Sequence, residues 1–284
     1  MRPILIWGRH GLLAQAIRRN WIQDQPLLFW GRSDLPASRW QQRGKILRLA
    51  PSAILNSAGF TNLKKAEESP LEARELHVET PAFLASVSRD LGIPFLTVSS
   101  DYVFSGRGKE EWNEADRAEP INAYGRSKLE GERAVLATYR RSKIVRTAGL
   151  FGPASAGSKV SFPERILQQV RAGRIPEVRS DLTTSLCHVD DLAADLMEIL
   201  HSSTEGVFHV VHAGSASWLQ IAEHALRFAG VSAKIQPTQT PDFPRPLCST
   251  LTTCRAEVLH GRSRRKSWQK ALGEFMRGFR HDET

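Results

Sequence analysis

The hydrophobic period of this chain switches repeatedly between two values over its first half, and few architectures accommodate such switching. Short apolar runs (Ile4-Leu5-Ile6-Trp7, Leu27 to Trp30, Ala53-Ile54-Leu55-Asn56, Phe95-Leu96-Thr97-Val98 and Lys143 to Arg146) alternate with longer amphipathic stretches. Four-residue apolar runs suit strands buried on both faces, and the stretches between them suit crossover helices. Leu12 to Trp21, Leu71 to Leu91 and Asn122 to Ala137 are predicted as helices, the second stopping at Gly92. The expected fold class is α/β, with a doubly wound parallel sheet covered by helices on both faces. After Gly149 the pattern loosens. A Gly/Pro/Ser-rich loop at 152–157 precedes helices near Phe162 to Ala172, Val189 to His201 and Trp218 to Ala229, with a strand at Val207 to Val211. We expect a nucleotide-binding domain over 1–150 and a smaller substrate lobe over 151–284, some of whose segments return to the first domain.

A chain of 284 residues with 41% apolar and 24% charged residues can bury a sizeable core without disulfides or metals. No stretch approaches the roughly 20 apolar residues of a membrane span, and the opening Ile4 to Trp7 run is too brief for a signal-peptide core. Cys187, Cys248 and Cys254 are an odd set without CxxC spacing, so they read as structural thiols in a reducing, cytoplasmic protein. Net charge is +9, and the Arg255 to His281 segment carries +6 of it. That concentration weakens a nucleic-acid reading and suits a solvated basic face on C-terminal helices, with anion or partner binding as the alternative. The seven tryptophans, Trp7, Trp30 and Trp218 among them, read mostly as core. His188 with Asp190 and Asp191 opens a predicted helix, where the acids would serve as caps. His209 and His212 lie three apart on a predicted strand and so face opposite sides, which argues against a shared metal.

Directly after the first strand stands Gly8-Arg9-His10-Gly11-Leu12-Leu13-Ala14, a GxxGxxA loop opening a helix. Its first glycine allows a tight turn, its second a close backbone approach, and the helix N-terminus attracts a pyrophosphate; the plain alternative is a simple strand-to-helix turn. With this loop the sheet reads as Rossmann-type. The second strand ends in Trp30-Gly31-Arg32-Ser33-Asp34, where Arg32 suits a 2′-phosphate and favours NADPH. NADH is the alternative, with Asp34 on the ribose or Arg32 a surface cation. Tyr124 and Lys128, four apart on a predicted helix, share one face and point at the strand edge that carries Ser99-Ser100-Asp101-Tyr102. An adjacent ammonium would favour the phenolate and make proton exchange with an alkoxide feasible near neutral pH.

The glycine loop, Asn56-Ser57-Ala58-Gly59-Phe60-Thr61, the run Ser99 to Gly106, the run Pro120 to Glu132, Arg146-Thr147 and Arg245-Pro246-Leu247-Cys248-Ser249-Thr250-Leu251 resemble the extended short-chain dehydrogenase/reductases. Within them the chain is most similar to the dTDP-4-dehydrorhamnose reductase family, over nearly its whole length. The resemblance implies reduction of the C4 ketone of a nucleotide-linked 4-keto-6-deoxy sugar by NADPH. It makes Ser100 a hydrogen-bond partner of the carbonyl, Tyr124 the general acid, and Lys128 the holder of the nicotinamide ribose. It also implies cofactor contacts from Gly8, His10, Gly11, Leu12, Leu13, Arg32, Ser33, Ala58, Gly59, Phe60 and Ser99. Substrate contacts would come from Asp101, Tyr102, Gly149 and Arg245, with no metal, no nucleic acid and no membrane partner. A homodimer is compatible with it. Where family members often carry an aromatic residue after Arg-Thr, this chain has Ala148-Gly149-Leu150, and Lys64 and Lys65 stand where acids are usual. Both departures bear on the sugar. Two other readings share the motifs: an epimerase or dehydratase that retains its cofactor, and a noncatalytic dinucleotide-binding subunit like that of methionine adenosyltransferase.

Overall fold

A computed structural model describes residues 1–34, 38–154, 160–239, 243–255 and 266–281. The chain runs β1 (Ile4–Trp7), α1 (Leu12–Asn20), β2 (Leu27–Trp30), α2 (Arg39–Leu49), β3 (Ala53–Asn56), α3 (Leu63–Glu68), α4 (Pro70–Arg74), α5 (Thr80–Leu91), β4 (Phe95–Ser100), α6 (Ala123–Thr138) and β5 (Lys143–Thr147). Then come β6 (Leu150–Phe151), α7 (Phe162–Arg171), β7 (Glu177–Arg179), β8 (Thr183–Thr184), β9 (Cys187–His188), α8 (Val189–His201), β10 (Gly206–His209), β11 (Ala216–Ser217), α9 (Trp218–Ala229), β12 (Gln236–Thr238), β13 (Cys248–Ser249) and α10 (Trp268–Arg277).

Six strands make one parallel sheet in the order β10-β5-β4-β3-β1-β2. The order reverses beside β1, between β1–β2 on one side and β3–β4–β5 on the other, which opens a crevice at the strands' carboxyl ends. Alternation along each strand serves both faces. Ile4 and Ile6 join Leu13, Ile17 and Leu192 under α1 and α8, whereas Leu5 and Trp7 join Ile46, Leu84 and Val135 under α2, α5 and α6. Each such buried aliphatic is worth roughly 1.5–3 kcal/mol against its exposed state, and two-sided burial accounts for apolar runs without polar alternation.

A separate core holds α7, α9 and α10 together around Ile166, Ile221, Ala225, Leu272 and Met276. The smaller strands beyond β5 pair only in twos and threes, while β10 and α8 return to the large sheet.

Several expectations change. The single helix over Leu71 to Leu91 is two helices, α4 and α5, joined by a π-turn at Glu75–Glu79. The strand expected at Val207 to Val211 is Gly206–His209. His188 itself caps α8, its Nδ1 accepting from the Asp190 N–H at 3.3 Å; Asp190 instead pairs with Arg19 and Asp191 with Lys266. Cys187 is buried, but Cys254 is exposed and is no packing thiol. Trp7 and Trp30 are core, whereas Trp40 is 81% exposed on α2. Among the described residues no helix is long and apolar enough to cross a membrane. Residues 155–157 of the expected loop, and Glu257, Arg262, Arg264 and Arg265 of the basic segment, lie outside the described residues, as does the side chain of Arg280.

Candidate active site

The crevice is a cleft of about 980 Å³ whose floor is the glycine turn. Gly8 has φ +117°, and a Cβ there would lie 2.7 Å from the Ala58 nitrogen, so only glycine lets β1 and β3 converge. The turn closes through Gly11 N–H to Gly8 O at 3.1 Å. α1 starts at Leu12 with no side-chain cap and no acid in its first turn, leaving backbone N–H groups and the positive end of the helix dipole toward the cleft. His10, Leu13, Ala58 and Gly59 line the same floor. Bare amides and a turn that excludes side chains fit a dinucleotide's pyrophosphate.

At the end of β2 the chain makes a single 3₁₀ turn, Arg32–Asp34. Asp34 is spent within the loop: it accepts the Gly31 N–H at 2.7 Å and pairs with Arg9 at 3.0 Å. Ser33 is exposed and does not line the cleft, and the side chain of Arg32 lies outside what is described. The cleft wall at this end is instead Arg9, Gly31, Arg39 and Gln42, of which the sequence reading singled out none. Arg39 also pairs with Glu75.

Opposite the glycine turn, α6 opens at Asn122, whose side chain accepts the Gly125 N–H at 2.7 Å, while Glu67 accepts the Ala123 N–H at 2.6 Å. This fixes Tyr124 in the first helical turn and Lys128 in the next, both lining the cleft with Ser99, Ser100 and Asp101 from the end of β4. The Tyr124 hydroxyl is within hydrogen-bonding reach of Ser100. Ser100 Oγ donates to Asp101 Oδ1 at 2.8 Å and accepts the Tyr102 N–H at 3.2 Å. Lys128 Nζ donates to the Val98 carbonyl at 3.2 Å and sits 5.9 Å from the tyrosine ring centre.

Burial dominates the acid–base character. It pushes the Tyr124 phenol above its ordinary value of 10, against the lowering effect of Ser100, so the expected bias toward phenolate is overridden. Burial brings the Lys128 ammonium down to about 8, with the Glu132 carboxylate opposing. It also raises Asp101 to about 6 despite hydrogen bonds from Ser249, Ser100 and Thr184.

Behind Lys128 lies a buried ion pair absent from the expected site. Glu132 takes two bonds from Arg146, 2.9 Å to Nε and 2.6 Å to Nη2, and accepts from Ser99 at 2.5 Å. Its signal was available, because 124, 128 and 132 form one i, i+4, i+8 stripe. His209 Nε2 lies 3.4 Å from Arg146 Nη1, whereas His212 faces Asp191, so the two histidines belong to different clusters.

The substrate candidates separate. Gly149 lines the cleft beside Thr147, Ala148, Ser161 and Phe162, with no aromatic side chain at 148–150. Tyr102 is buried edge-on to Tyr124 at 5.8 Å and is hydrogen-bonded by Arg245; neither Tyr102 nor Arg245 lines the cleft. Phe60 stands just outside it, its ring under Lys65.

A family model described as RmlD substrate binding domain matches residues 1–281. A dTDP-4-dehydrorhamnose reductase of Sinorhizobium fredii is 29% identical over 255 residues, 86% of this chain and 85% of that protein. A dTDP-4-keto-6-deoxy-D-glucose reductase of Streptomyces niveus is 30% identical over 239 residues, 82% and 81% of the two chains. The crystal structure of a dTDP-4-dehydrorhamnose reductase from Clostridium acetobutylicum superposes with a TM-score of 0.88 at 28% identity, covering 96% of this chain and 98% of that one.

Proposed function

We propose, from the premise that this chain belongs to the RmlD substrate-binding-domain family, that it reduces the C4 ketone of a nucleotide-linked 4-keto-6-deoxy sugar with NADPH. The observation that carries the reading is the meeting of Tyr124, Ser100 and Lys128 at the cleft opposite an uncapped helix N-terminus. The relatives named as 4-keto sugar reductases supply the substrate class.

Gly8, Gly11 and Leu12 would receive the pyrophosphate, with Ala58 and Gly59 beside it. Arg9 and Arg39 stand at the adenosine end, each paired with one acid, Asp34 and Glu75, and their guanidinium groups are the donors there that a 2′-phosphate would engage. When bound, the cofactor supplies the hydride that adds to the carbonyl carbon. The protein's share is the proton and the geometry. Tyr124 gives its hydroxyl proton to the oxygen that becomes the alkoxide, and the Lys128 ammonium both holds the ribose and stabilises the phenolate left behind. For Ser100 to donate to the carbonyl, its hydroxyl must turn from Asp101. A phenol held protonated suits a reaction that begins by protonating oxygen. It suits less well an epimerase or dehydratase, whose first step removes a proton from a hydroxyl.

The test is NADPH oxidation, followed at 340 nm, against a panel of nucleotide-linked 4-keto sugars. Net oxidation with at least one member is expected, and Tyr124→Phe should lower kcat by about 10²–10⁴-fold while NADPH still binds. No oxidation across the panel, or full turnover by the phenylalanine variant, defeats the reading.

A further inference from the structure

We propose that His77 is a positioning residue, a two-ended strut that ties the backbone of the cofactor loop at Phe60 to the tyrosine-bearing turn of α6. The proposal rests on the reading of the cleft as a dinucleotide site. No motif singled His77 out, and nothing in the proton or hydride chemistry uses it.

The strut is built from three hydrogen bonds in series. The Phe60 N–H donates to His77 Nε2 at 2.9 Å. An Nε2 that accepts leaves the proton on Nδ1, so Nδ1–H donates to Ser127 Oγ at 2.8 Å. Ser127 in turn donates to the Tyr124 carbonyl at 2.8 Å. The ring also meets the Tyr124 ring edge-on at 5.2 Å.

Packing leaves little play. His77 is 4% exposed, and a Cβ on Gly59 would come within 3.3 Å of Lys128 Nζ and 3.7 Å of His77 Nε2, so the loop backbone lies close against both imidazole and ammonium. On the other side a Cβ on Gly131 would overlap the His77 carbonyl, which brings α6 directly onto this backbone. The π-turn at Glu75–Glu79 widens the helix where His77 must reach both partners. Burial and the Lys128 charge hold the imidazole neutral, its pKa pushed down to about 2, so one tautomer persists at every working pH.

A strut with two separable ends makes separable predictions. In His77→Asn the side-chain amide can replace Nδ1 toward Ser127 but cannot reach Phe60. In His77→Gln the amide oxygen can stand in for Nε2 toward Phe60, with the Ser127 end disturbed. Losing one hydrogen bond of about 0.5–1.5 kcal/mol corresponds to about 2- to 10-fold. We expect His77→Asn to raise the NADPH dissociation constant and KM by that factor, more than it lowers kcat. His77→Gln should lower kcat more than it raises KM. Ser127→Ala cuts the second end from the partner's side and should reproduce the glutamine pattern.

Three readouts decide it on the full chain: NADPH fluorescence titration, steady-state kinetics, and hydrogen exchange of the Phe60 amide without cofactor. Faster Phe60 exchange in His77→Asn than in His77→Gln supports the strut. It is overturned if the two variants share one NADPH dissociation constant and one Phe60 exchange rate and differ from wild type only in melting temperature. If His77→Asn does not fold, Ser127→Ala alone decides: a wild-type kcat overturns the strut. Wild-type protein that binds no NADPH would defeat the dinucleotide reading, while Phe60 exchange would still judge the strut.

Discussion

Two buried carboxylates flank the tyrosine–lysine turn, and the protein compensates them by opposite means. Glu132, behind Lys128, is held by a guanidinium through two bonds and by the Ser99 hydroxyl. Asp101, beside Tyr124, is held by the hydroxyls of Ser100, Thr184 and Ser249 and by its own backbone N–H. Charge offsets burial in the first place; dipoles do so only in part in the second, and Asp101 rises to about 6. The difference separates two duties. A paired carboxylate can sit next to an ammonium and oppose the effect of burial on it. A hydroxyl-bound one stays close to protonation, adjacent to Tyr124, the proposed proton donor.

Removing one partner of the paired carboxylate should have the largest effect. Glu132→Gln leaves Arg146 buried without its counter-charge, and the expected loss in urea unfolding is about 3–5 kcal/mol. Replacing both by apolar residues, Glu132→Leu with Arg146→Met, should recover most of it. A single variant within 1 kcal/mol of wild type would show that the pair is not what holds α6 to β5.

Asp101→Asn probes the other carboxylate through pH. The folded group titrates near 6 and the unfolded one near 3.8, so the native state binds more protons between them and wild-type stability falls as pH rises through that window. The asparagine variant lacks this titration. Its unfolding free energy relative to wild type should therefore rise by about 2.4 kcal/mol from pH 4 to pH 7. A pH-independent difference would mean that the hydroxyls compensate the carboxylate fully.

What could be read from the residues follows the same division between local pattern and assembled charge. The strands β1 to β5 were visible because two-sided burial writes an apolar run, and Tyr124 and Lys128 because a helix repeats nearly every four residues. Strands of two or three residues such as β8 and β13 carry no period of their own; tertiary pairing defines them. The π-turn was invisible because one widened turn barely shifts the apolar spacing of Leu71 to Leu91. Arg9 sat unremarked inside the glycine loop, and its importance depends on Asp34 folding back to meet it. His77 gave no signal at all, since a lone histidine in a helical stretch acquires partners only once Phe60 and Ser127 arrive from other elements.

The smallest effect, and the one that ties the two carboxylates to the chemistry, lies on the alkaline side. In the proposed mechanism Lys128 acts as an ammonium, and burial brings it down to about 8, so kcat/KM should fall about tenfold per pH unit above that point. Lys128→Arg replaces it with a cation that does not deprotonate, and the alkaline limb should vanish even if the maximum rate drops. Glu132 opposes the effect of burial on Lys128, so in Glu132→Gln, assayed at a temperature where it remains folded, the limb should begin at lower pH. Asp101→Asn should leave that limb in place and alter only the acid side near 6. If both carboxylate variants moved the same limb, the two would be acting as one electrostatic unit, and the separation of duties drawn from their partners would fail.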